Sequence, residues 1–163
     1  MPVVSNTSPI LNLAIIGHLD LLRRQFDEIW IPLAVEQELR VDEELPGSAA
    51  VHAAMKAGWL KTRLIENVPF FDVLARELDR GEAEAIVLAV ETKAERILLD
   101  EREARRVATT LHLPVTGVLG ILLRAHRRGQ LASPLPDLLN ALQVEAGFRM
   151  TDSLVNQILQ ETQ

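Results

Sequence analysis

Cysteine is absent from the 163 residues, which excludes a disulfide framework, a thiolate metal site and a cysteine nucleophile, and suits a reducing compartment. Tyrosine is also absent and tryptophan occurs twice, too few flat rings for a platform on which successive bases stack. Neither G-x-G-x-x-G nor G-x-x-x-x-G-K-[ST] occurs, so the usual phosphate-cradling loops of nucleotide-binding folds are missing. No apolar run approaches the roughly 18 residues that cross a bilayer, and the opening Met1-Pro2-Val3-Val4 lacks the basic and apolar regions of a signal peptide. The expectation is a soluble, cytoplasmic protein without membrane association.

What is present is a composition of 48% hydrophobic and 25% charged residues. That length and mixture bury one sizeable core and leave little room for a second, so one domain over residues 1–163 is expected. The net charge of −6 does not advertise nucleic-acid binding through the global field. Its distribution is uneven, however. Six arginines (Arg102, Arg105, Arg106, Arg124, Arg127, Arg128) and a single acid, Glu103, occupy 102–128, whereas acids prevail over 28–44 and 72–101. Such a stretch reads either as the solvated faces of two helices or as a surface for phosphate.

Short apolar runs alternate with helical patterns. Val3 to Ser5 reads as a buried strand running into Asn6-Thr7-Ser8-Pro9, a helix start with capping residues and an early proline. Ile29-Trp30-Ile31, halted by Pro32, reads as a second strand and Pro32 as the opening of a helix. Ser48 to Ala57 is helical with Gly58 as its stop, and Leu60 to Ile65 is a candidate edge strand. A helix is expected over Val73 to Leu78, ending before Gly81, and a longer one from Glu82 to about Lys93. Ile97-Leu98-Leu99-Asp100 is an apolar run ending in an acid. Helix Arg102 to Leu111, strand Pro114-Val115-Thr116, a helix from Gly117 to about Arg128, and helices over 135–143 and 151–160 complete the chain. This alternation implies an α/β sandwich of three layers, with a mainly parallel sheet covered on both faces and ligands at the carboxyl ends of its strands.

Two polar residues, Asn6 and Asp100, follow strand-like runs directly. At about 100° per residue, Glu38 lies about 60° from Val35 on the core-facing arc of its helix, while Glu36 falls outside. The same wheel places Glu82 among Ile86, Ala89 and Val90, and turns Glu84 outward with Glu91. Each has a plain structural reading: Glu38 as a surface carboxylate, Glu82 as a favourable first-turn acid, Asp100 and Asn6 as helix caps. Against it stands their common placement, since inward-facing acids are costly unless paired or metal-bound.

Val3-Val4-Ser5-Asn6-Thr7-Ser8-Pro9, Ile31-Pro32 with Val35-Glu36-Gln37-Glu38-Leu39, Gly81-Glu82-Ala83-Glu84-Ala85-Ile86 and Leu98-Leu99-Asp100-Glu101-Arg102 together resemble the PIN-domain family. The likeness is to its prokaryotic, VapC-like toxin relatives. It continues through Pro114-Val115-Thr116-Gly117 and the closing Gly147-Phe148-Arg149-Met150-Thr151-Asp152. The resemblance implies a sheet of about five parallel strands between helices, and an acidic cluster that holds Mg²⁺ or Mn²⁺ for RNA hydrolysis. Carried over position by position, the four site residues are Asn6, Glu38, Glu82 and Asp100, with Glu84 as the alternative third acid and Ser8 in support. Arg102, Arg105 and Arg106 would meet the RNA. The implied partners are an RNA substrate and a small antitoxin, with a homodimer as a further option.

Carboxylates are hard oxygen ligands that suit these ions. Asn6 departs from the family pattern, because its amide can coordinate but brings no negative charge. Three carboxylates and one amide should bind one ion adequately and a second weakly. Two functions follow: a metal-dependent ribonuclease of the toxin type, or a catalytically weakened PIN-like module that binds RNA or protein.

Overall fold

The computed structural model describes residues 1–162. Strands β1 (Val3–Ser5), β2 (Ile29–Pro32), β3 (Leu60–Arg63), β4 (Arg96–Leu98) and β5 (Val115–Thr116) form one parallel sheet in the order β3-β2-β1-β4-β5. The register sets Val3 opposite both Ile29 and Arg96, and Ser5 opposite Leu98. Because successive strand side chains point to opposite faces, Val3 joins the core beneath one helical layer and Val4 the core beneath the other. The two layers and the sheet make the expected three-layer α/β/α sandwich.

Among the described residues there are ten helices. On the Val3 face lie α1 (Thr7–Ile15), α2 (Asp20–Phe26), α3 (Leu33–Leu39), α4 (Ser48–Ala57), α8 (Val118–Arg127), α9 (Leu135–Val144) and α10 (Asp152–Glu161), which contribute to one hydrophobic cluster. On the Val4 face lie α5 (Val68–Leu74), α6 (Arg80–Glu91) and α7 (Arg102–Thr110). Gly58 stops α4 as expected, in the left-handed region at φ +87°, which a residue without Cβ occupies freely.

Two segments differ from the sequence expectation. The helix expected over 73–78 is α5, and it begins at Val68 because Asn67 caps it, accepting from the Phe70 N–H at 3.0 Å, with a proline in the first turn. Residues 75–77 form a turn and Leu78 a bend. Helix α6 begins at Arg80, so Gly81 lies inside it; the Asp79 carboxylate caps it by accepting from the Glu82 N–H at 2.8 Å. Every residue from Gly81 to Ala89 is buried. A helix enclosed on all sides has no solvent face on which a wheel can park its acids, so Glu84 is buried at 5% exposure rather than turned outward.

Candidate functional site

In this strand order the chain leaves β1 in opposite directions on its two sides, which opens a crevice at the carboxyl ends of β1 and β4. Asn6 and Asp100 stand at that edge. The Asn6 N–H donates to the Leu98 carbonyl at 3.0 Å, extending the β1–β4 ladder by one step. Asn6 occupies the N-cap position of α1, yet its side chain makes no cap hydrogen bond. Asn67, Asp79 and Thr151 do cap their helices. Asn6 is only 4% exposed and its Oδ1 has no hydrogen-bond partner. Leaving a buried acceptor unpaired costs about 1–3 kcal/mol, so the capping explanation of Asn6 fails.

Asp100 is held from two directions. The Ser8 hydroxyl donates to Oδ2 at 2.9 Å and the Val118 N–H donates to Oδ1 at 2.8 Å. Asp100 therefore caps α8 from the end of the neighbouring strand, not α7, whose N-cap position is Glu101. Asn12 Nδ2 donates to Ser8 Oγ at 3.0 Å, fixing the hydroxyl that supports the acid. Asn12 had no role in the sequence reading, although its position four residues beyond Ser8 puts both on one helix face. Burial pushes the Asp100 carboxyl above its ordinary value, against the opposing pull of the Val118 and Ser8 hydrogen bonds.

The Glu82 carboxyl, at 7% exposure, is pushed up to about 8 by burial first, then by the neighbouring Asp79 and Glu101. A first-turn acid stabilised by the helix dipole would move the other way, so that reading is outweighed here. Glu84 is committed elsewhere: its Oε1 accepts from the Ala34 N–H at 3.1 Å, in the first turn of α3, and its Oε2 pairs with Arg80 at 3.0 Å. Glu38 is exposed rather than facing the core. Its carboxylate accepts from the Thr7 hydroxyl at 2.5 Å and fills the space a Cβ on residue 81 would need. Gly81 is therefore the opening through which Glu38 reaches the start of α6.

These contacts place Asn6, Glu38, Glu82 and Asp100 around one end of the sheet and leave Glu84 in a structural bond network. Among the described residues, no three His, Cys, Asp or Glu side chains stand close enough together to hold a metal ion. The donor types nevertheless fit a hard divalent cation: one unpaired buried amide oxygen and three carboxyls, one of them pushed up to about 8 by burial and the neighbouring acids.

Of the three sequence-predicted arginines, Arg105 stands at the site, with Nη1 3.4 Å from the Leu99 carbonyl. A Cβ on Gly117 would lie 2.7 Å from that Nη1 and 2.8 Å from Asp100 Oδ1. Arg106 is paired with Glu103 and, at 3.5 Å, with Glu77, and Arg102 is exposed. Sequence reasoning gave no role to Phe148 and Arg149, which line two cavities of about 480 and 380 Å³ that both reach Asp100. Their only sequence signal was the Gly147 to Asp152 motif.

A family model described as "DUF3368: PIN domain" matches residues 2–163. No curated protein matches. A similar solved structure is a PilT N-terminus domain protein, SSO1118, from the hyperthermophilic archaeon Sulfolobus solfataricus P2. It is 15% identical with a TM-score of 0.55, over 82% of this chain and 97% of that one, a likeness of fold. PIN domains are generally nucleases and typically use divalent metal ions. The match across nearly the whole sequence, on a five-stranded parallel sheet with Asn6 and Asp100 at its switch point, means that this chain belongs to the PIN domain family.

Proposed function

We propose that the chain is a metal-dependent ribonuclease that hydrolyses RNA phosphodiesters, with Mg²⁺ or Mn²⁺ held by Asn6, Glu38, Glu82 and Asp100. The observation that carries this reading is the buried Asn6 Oδ1 without a partner, an oxygen that neither caps a helix nor meets a donor. When bound, a hard divalent ion supplies Lewis-acid polarisation of a phosphoryl oxygen and a lowered pKa for water. The chain's own part is to present oxygen donors in a fixed orientation. Ser8 and the Val118 N–H hold both Asp100 oxygens, Thr7 holds Glu38, and loading the site requires Glu82 to release its proton. Arg105, beside Asp100, faces the phosphate.

By family resemblance the protein is the toxin component of a toxin–antitoxin pair, checked by a small antitoxin. Cleavage of a labelled RNA by wild type, abolished by chelation and by Asp100→Asn, is the expected result. Cleavage that persists in Asp100→Asn overturns the assignment. A second reading, a PIN-like module weakened in catalysis, is favoured by the amide at Asn6. Under it the Glu38, Glu82 and Asp100 substitutions leave partner binding intact and wild type cuts no RNA.

A further inference from the structure

The segment joining α9 to α10 has no place in the metal reading, yet it lines both cavities that reach Asp100. Gly147 turns the chain at φ +69°. The Phe148 N–H donates to the Leu142 carbonyl at 2.8 Å, Gln143 Nε2 donates to the Met150 carbonyl at 3.2 Å, and Thr151 caps α10. The segment is thus tied down on both sides. Phe148 packs partly on the core below and lines both cavities together with Arg149 and Asp100. Both volumes lie within the roughly 300–1,000 Å³ range of small-ligand sites.

The charges divide in a way that suits a phosphate chain. Asp100, Arg105, Phe148 and Arg149 line the larger cavity together, and Asp100, Glu101, Phe148 and Arg149 line the smaller one. Among the described residues, the exposed Arg149 guanidinium has no carboxylate partner, unlike Arg106, which is already paired with acids. An unpaired guanidinium presents a planar fork that matches phosphate oxygens. Phe148 is one ring and no platform for successive bases, but a single ring stacks a single base.

We infer that Arg149 and Phe148 form a subsite for the nucleotide adjoining the reactive phosphate, with single-stranded RNA as its occupant. Arg149 and Arg105, which share the lining of the larger cavity, grip the phosphate, and the Phe148 ring stacks the neighbouring base. This subsite rests on the ribonuclease reading for its substrate and makes a separate claim about binding.

The test is fluorescence anisotropy of the full chain with a 5′-labelled single-stranded RNA of ten nucleotides and mixed sequence. It is run in Ca²⁺ and again in EDTA, over a series of salt concentrations. Arg149→Ala is expected to weaken binding about tenfold and to reduce the slope of log affinity against log salt by about 0.7, the loss of one phosphate contact on a single strand. Arg149→Lys keeps the slope, because the charge remains. Phe148→Leu, which preserves the apolar packing, weakens binding about tenfold with the slope unchanged. Thermal melts matching wild type confirm that the variants fold. The inference is overturned if Arg149→Ala retains wild-type affinity and slope, or if wild type binds the RNA in neither condition. RNA binding that responds to Arg149 without any cleavage sinks the ribonuclease reading and supports the subsite. Cleavage lost in Asp100→Asn together with no response to Arg149 does the reverse.

Discussion

Replacing Glu82 by glutamine should make the metal-free protein more stable, and increasingly so as pH rises. The folded chain keeps the Glu82 proton up to about pH 8, whereas the ordinary value is 4.5. Below 4.5 both states are protonated and the stabilisation from the neutral folded group is fully present. Between 4.5 and 8 the unfolded chain ionises and the folded one does not, so stability is lost progressively across that window. At about 1.4 kcal/mol per pH unit the loss has a ceiling of about 5 kcal/mol, and solvent at the open end of the crevice reduces it to about 2–3 kcal/mol. Glutamine is neutral at every pH, matches the protonated acid in shape, and donates where the protonated acid does. Glu82→Gln should therefore melt within a degree or two of wild type near pH 5 and about 5–10 °C higher at pH 8.5. The measurement is thermal unfolding by circular dichroism in EDTA across pH 5 to 8.5. A variant no more stable than wild type at pH 8.5, or a gain that does not change with pH, refutes the account of Glu82 as a buried acid awaiting a cation. Mn²⁺ at a hundredfold excess over its Kd should restore about 2.7 kcal/mol to wild type and much less to Glu82→Gln.

Asn6→Asp adds the missing charge and should tighten Mn²⁺ binding about tenfold, or about 1.4 kcal/mol, by calorimetry; equal affinities would remove the charge argument. Glu84→Ala should destabilise the fold by about 2–3 kcal/mol near neutral pH, because it strands the Ala34 N–H and empties a buried site. Denaturant unfolding checks it, and a stabilising result would mean that Glu84, not Glu82, is the strained acid. Gly81→Ala should gain up to about 1 kcal/mol from helix propensity, since the atoms nearest its Cβ belong to the end of the exposed Glu38 side chain, which can swing away at the cost of its Thr7 hydrogen bond. The same change pushes Glu38 aside and should lower Mn²⁺ affinity, so unaltered affinity would take Glu38 out of the site.

How much of this was legible in the sequence depended on how local the determining physics is. Strands β1, β2 and β4 stood out because each is an apolar run broken by a polar residue or a proline, and the ends of β1 and β4 brought Asn6 and Asp100 together as expected. The wheel selected Glu82 over Glu84 for a reason the structure does not uphold, since both are buried. What separates them is that Glu84 is consumed by Ala34 and Arg80, contacts a wheel cannot contain. Glu38 failed in the opposite sense: the wheel turned it inward, and it reaches the site across an open rim because residue 81 lacks a side chain. The Val118 bond to Asp100 and the approach of Arg149 join residues far apart in the chain, and no local pattern announces either.

The neutral residue at the end of β1 then takes on a physical logic. Glu82 already shares its surroundings with Asp79 and Glu101, and Asp100 is raised by its own burial. A further carboxylate at position 6, enclosed to the same 4% exposure as Asn6, would bring another unpaired charge into that end of the sheet. Without a cation it would be costly to ionise. The amide avoids that cost and gives up attraction for a divalent ion, so the metal-free fold and metal affinity pull position 6 in opposite directions. Asn6→Asp should accordingly lower the melting temperature in EDTA at pH 8 while raising affinity for Mn²⁺. A variant that binds the ion more tightly and loses no stability without it would show that the amide was not retained for the sake of the metal-free fold.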